Sequence, residues 1–123
     1  MSHTAHVFRI PVFGGQLRLY TSPHALETWR HTVTGKPPAA GQADGRTHQL
    51  THPNGAVTYL VGWYDDRIST LSHELNHVAL AVLQRAGITP TADNGEALCH
   101  LQGELLQLCG ADEFERPLVK LPA

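Results

Sequence analysis

The chain begins with two short runs of hydrophobic and β-forming residues, His6–Phe13 and Gln16–Thr21, separated by Gly14-Gly15. Two β-rich runs broken by a glycine pair predict a β-hairpin. Ser22-Pro23 supplies an N-cap side chain and a proline suited to the first helical position, so a short helix is expected over Pro23–Thr32. Residues 35–46 carry glycine, proline and small residues without any period and read as a loop within a domain. Thr47–Thr51 is a further strand candidate. After the turn His52-Pro53-Asn54-Gly55, Ala56–Tyr64 (AVTYLVGWY) is rich in β-branched and aromatic residues and gives the strongest strand signal in the chain.

The period then changes to that of a helix. Ile68, Leu71, Leu75, Val78 and Val82 form one apolar stripe, which predicts a helix over Arg67–Ala86. Asp65 or Asp66 is placed to cap it and Gly87 to end it. The loop ITPTAD leads to a last helix over Gly95–Cys109, with Ala97, Leu98, Leu101, Leu105 and Leu108 on its apolar face and Gly110 as its stop. The tail from Glu113 has two prolines and no period. The order β-β-α-β-β-α-α predicts an α+β fold, with a small antiparallel or mixed sheet backed by helices.

At 123 residues, the chain suits a single domain spanning residues 1–123. A net charge of −2 argues against nucleic acid as a partner. No apolar run approaches the roughly 20 residues that cross a bilayer, so no membrane partner is expected. The N-terminus lacks the basic and apolar regions of a signal peptide, and a cytoplasmic location, or export without a cleaved signal, is the expectation. Cys99 and Cys109 on one helix would stand roughly 15 Å apart along its axis, beyond disulfide reach, and read as small buried residues. Nothing in the pattern fixes an oligomeric state.

Histidine changes the picture. There are nine, as many as lysine and arginine combined, and two of them lie in STLSHELNHVAL, residues 69–80. On a helix, His73 and His77 are about 40° apart around the axis and one turn apart along it, so their imidazoles can converge on one ion. Zn2+ is the ion such a pair suits. Glu74, about 100° from His73, sits where a carboxylate can act as general base toward a metal-activated water. The apolar stripe passes through Leu71, Leu75 and Val78, which predicts that His73, Glu74 and His77 all face solvent or a cleft. A second pair, His48 and His52, lacks the glutamate and lies in extended chain, where four residues separate the rings by more than about 12 Å. It reads as surface histidine.

A catalytic zinc needs a third protein ligand. Extension of the motif to H-E-x-x-H-x-x-G-x-x-H is excluded by Leu80 and Leu83. The last helix carries a polar stripe of Glu96, His100, Gly103 and Gln107, and Gly103 suggests close approach of a neighbouring backbone. If that helix folds back on the previous one, Glu96 faces the histidine pair. The alternative for Glu96 is a capping box with Asp93, and for His100 a surface role.

HELNH followed about 19 residues later by DNGEALCH resembles the gluzincin-type zinc metallopeptidases, and in particular short single-domain forms encoded in phages and prophages. The resemblance covers roughly residues 56–109. It implies a zincin-like active-site helix and a C-terminal glutamate helix, with His73, His77 and Glu96 as zinc ligands, Glu74 as catalytic base, and a peptide or protein as substrate. The family's acid four residues after the ligand glutamate is replaced here by His100, which would instead hydrogen-bond the reacting carbonyl oxygen as a second catalytic residue. The strand Ala56–Tyr64 would offer its edge to an extended substrate. The alternative function is a non-catalytic zinc-binding accessory or interaction module of phage type, and the phage setting places the chain in the host cytoplasm or the virion.

Overall fold

The computed structural model describes residues 5–38 and 41–114, with side chains through residue 110. The extreme N-terminus and the tail beyond residue 114 lie outside the described residues. Four strands, β1 (His6–Arg9), β2 (Gln16–Tyr20), β3 (Gly45–Thr51) and β4 (Val57–Trp63), form one mixed sheet in the order β1-β2-β4-β3. Helices α1 (Pro23–Thr34), α2 (Ile68–Arg85) and α3 (Gly95–Phe114) complete the expected α+β order. β1 pairs antiparallel with β2, β2 parallel with β4, and β3 antiparallel with β4. The parallel pair is possible because α1 carries the chain between strands that do not follow one another in sequence.

Alternation along the central strands builds two cores. Leu17, Leu19, Tyr59, Val61 and Trp63 point to one face, where they pack with Leu71, Leu75 and Val78 of α2 and Leu101 and Leu105 of α3. Tyr20 and Leu60 point to the other face and meet Leu26 of α1. β4 is buried along its whole length, which explains why its sequence reads as a continuous apolar run.

Several boundaries differ from the sequence expectation. β1 stops at Arg9 because the Ile10 amide donates to the Gly15 carbonyl and the Gly14 amide to that of Ile10, closing a tight turn. β3 begins two residues early because antiparallel pairing with β4 extends to Gly45 opposite Trp63. Asp65 organises the start of α2 from upstream: its Oδ1 accepts from the Arg67 amide at 3.0 Å and its Oδ2 from the Thr70 hydroxyl at 2.6 Å. α3 passes through Gly110, expected as its stop, and reaches Phe114. Gly110 is buried, so tertiary packing overrides a local helix cost of about 1 kcal/mol. β4 is hydrogen-bonded on both sides, so it has no edge to offer a substrate. The edges of the sheet are β1 and β3.

Candidate metal centre

α2 presents His73 and His77 on its exposed face, as the apolar stripe requires. Their Nε2 atoms are 3.3 Å apart and their rings stand edge to face at 80°. Two imidazole nitrogens bound at the usual zinc distance in a tetrahedral arrangement would lie about 3.3 Å apart. The pair therefore fits two corners of a zinc site.

Glu74 corrects the sequence expectation. It does not share the open arc of the histidines but is 8% exposed, wedged between α2 and β3. Its Oε1 accepts a hydrogen bond from the Thr47 hydroxyl at 2.8 Å, and the same hydroxyl lies 3.3 Å from the Glu74 carbonyl oxygen. Its Oε2 lies 3.8 Å from His73 Nε2. One carboxylate oxygen is thus anchored to the edge strand while the other lies beside His73. Gly45 makes room for this: a Cβ there would come within 2.9 Å of Glu74 Cγ and 2.8 Å of Thr70 Cγ2. Gly45 and Thr47 are contributions the motif alone did not reveal. Their signal was the alternation of β3, which puts residues 45 and 47 on one face.

Glu96 and His100 lie together but elsewhere. On α3, Glu96 Oε2 is 3.8 Å from His100 Nε2, with the two side chains 89% and 81% exposed. Around the helix, Glu96 stands about 180° from the buried Leu105, so it projects away from the core and from α2. Beside the apolar packing of Leu101 and Leu105, α3 meets α2 through Gln102, whose Nε2 donates to the Ser72 carbonyl at 3.1 Å and lies 3.2 Å from the Ser72 hydroxyl. Among the described residues, no three His, Cys, Asp or Glu side chains gather around one point. The expected approach of Glu96 to the histidine pair is therefore not formed. Gly103 is not a close-contact glycine either, because a Cβ there would meet nothing within 4 Å. The start of α3 is organised by Asn94, which accepts from the Thr91 amide and hydroxyl and donates to the Thr89 carbonyl, rather than by a box of Asp93 and Glu96.

The other histidine pair has split partners. His52 Nε2 is 2.7 Å from the Thr58 hydroxyl, and His48 Nε2 is 3.6 Å from Glu27 Oε1 across to α1. His48 is thus a half-buried member of the second face, not a surface histidine. Burial, and then the Arg30 charge, hold its pKa below the ordinary value, against the pull of Glu27. The cysteines also divide: both are free, with Cys99 exposed, contrary to expectation, and Cys109 half-buried.

No protein-family model, no curated protein and no solved structure matches this chain. Among the described residues no helix is long and apolar enough to cross a membrane.

Proposed function

We propose that this protein is a zinc-dependent metallopeptidase of zincin type, with zinc held by His73 and His77. The observation that carries the reading is the 3.3 Å separation of the two Nε2 atoms beside a carboxylate anchored on one oxygen only. When bound, zinc supplies a Lewis acid that lowers the pKa of water and polarises a carbonyl. The chain's own residues provide the rest. Thr47 orients the Glu74 carboxylate through Oε1, leaving Oε2 to take a proton from the attacking water and return it to the leaving amine. A peptide substrate in extended form adds to the outer edge of β3, the strand that carries Thr47, rather than to β4. In the arrangement described, the third protein position is not supplied by Glu96, and His100 lies with it, away from the reaction.

That outward direction of Glu96 favours a second reading, a zinc-binding accessory module of phage type without turnover. The two separate by experiment. The protein loaded with one equivalent of zinc is offered a peptide library, alongside Glu74→Gln. The peptidase reading expects cleavage by the parent chain, and the same zinc content without cleavage in the variant. Cleavage undiminished in Glu74→Gln removes Glu74 as base. Stoichiometric zinc with no cleavage by either protein assigns the accessory role, and no zinc binding at all overturns both.

A further inference from the structure

The end of the sheet away from the histidine pair holds a separate concavity of about 340 Å3. Its walls include Phe13 from the β1–β2 turn, Val57 and Tyr59 from β4, and Val82 from α2, and Arg85 lies among them. Arg85 follows His77 by eight residues, about 12 Å along the α2 axis, so this cavity is not part of the metal centre. The Arg85 Nη2 atom donates to the Gly55 carbonyl at 2.8 Å, which fixes the guanidinium in place. A guanidinium has five N–H donors in a planar fork, and among the described residues lining the cavity there is no Asp or Glu to receive the others. Burial raises the Tyr59 hydroxyl pKa, while the Arg85 charge works against that rise, so the field of the cation reaches the cavity wall. Gly14 and Gly55 line the cavity without closing it, since a Cβ on either would meet nothing within 4 Å. Phe13 remains 38% exposed, apolar surface that a bound chain would cover.

A cavity of ligand size whose wall is part apolar side chain and part glycine backbone, with a single cation among its lining, suits a ligand with a short apolar body and a single anionic end. We propose that this cavity binds a monocarboxylate carried on a short apolar chain, its carboxylate on the Arg85 guanidinium and its chain against Phe13, Val57, Tyr59 and Val82. A guanidinium pairs with a carboxylate through two parallel hydrogen bonds, which selects that head group over a hydroxyl. The site stands independently of the zinc reading.

Amide chemical shifts of the full chain are followed while butanoate, hexanoate, hexanol or N-acetyl-leucine is added. Saturable shifts at Gly14, Gly15 and Gly55 are expected with hexanoate. Hexanoate should bind about fifteenfold more tightly than butanoate, since each of the two further buried methylenes contributes roughly fourfold. Hexanol should bind at least about tenfold more weakly than hexanoate. Arg85→Met should lower hexanoate to the level of hexanol, and Arg85→Lys should fall between, while His73→Ala leaves hexanoate binding unchanged. Tighter binding of N-acetyl-leucine than of hexanoate would identify the source of the carboxylate as a peptide C-terminus, and the reverse order a free acid. Equal affinities for hexanol and hexanoate, no saturable shift at these glycines, or undiminished binding in both folded Arg85 variants would overturn the assignment.

Discussion

Replacing Thr47 by valine tests how Glu74 is held. The two side chains have nearly the same shape, so no cavity opens, but the hydroxyl that donates to Glu74 Oε1 at 2.8 Å is lost. Glu74 is 8% exposed, and water has little room to replace that donor. A hydrogen bond to a charged group contributes about 1.5–3 kcal/mol, against about 0.5–1.5 kcal/mol for a neutral one. Thr47→Val should therefore destabilise the fold by about 1.5–3 kcal/mol at pH 7, lowering the urea midpoint by roughly 1–2 M. In a Glu74→Gln background the acceptor is neutral and the same replacement should cost only about 0.5–1.5 kcal/mol. The difference is the coupling energy of a double-mutant cycle. Unfolding of the four proteins is followed by tryptophan fluorescence, since Trp63 is buried in the larger core. A loss below about 0.5 kcal/mol in both backgrounds, with no coupling, would show that Thr47 does not anchor the carboxylate.

Single replacements of His73 or His77 by alanine should each weaken zinc binding by at least about a hundredfold, because one imidazole cannot hold the ion alone. By contrast, Glu96→Gln should leave zinc affinity within about threefold, as its side chain is 89% exposed on the far side of α3; calorimetric titration of all three variants checks both statements, and a hundredfold loss in Glu96→Gln would return Glu96 to the ligand set. The depressed pKa of His48 means that the unfolded chain takes up its proton first as pH falls. Its contribution is complete above the unfolded value near 6.5 and is lost as pH drops toward the lower folded value; urea midpoints measured from pH 7.5 to 5.5 should show this slope, reduced in His48→Gln. Burial pushes the Cys109 thiol up to about 12, whereas Cys99 is exposed. At pH 8 the native protein should therefore release one equivalent of thionitrobenzoate quickly from a disulfide reagent, and the second only in urea.

Legibility differed between the fold and the site for physical reasons. The strand Val57–Trp63 and the helix Ile68–Arg85 were readable because each is long and its period is enforced by burial. Their ends were less so: Gly110 lies inside α3 and Gly45 inside β3 because packing and ladder pairing supply free energy that local preference does not include. His73 and His77 were legible as a pair, since residues one turn apart on any helix must face the same way. Glu74 and Glu96 were not, because each direction depends on what lies beside the helix.

The amino-acid sequence by itself therefore determined which segments became helices and strands, and that two imidazoles would share one turn of α2. These are consequences of backbone geometry within a single element. Only the tertiary structure decided that β4 lies between β2 and β3, that Glu74 turns inward onto Thr47 while its histidine neighbours stay in solvent, and that α3 meets α2 through Leu101, Leu105 and Gln102 with Glu96 facing away. Those outcomes depend on how elements distant in sequence pack and rotate against one another. A helical period specifies which residues share a face, but the packing of the core decides what that face meets.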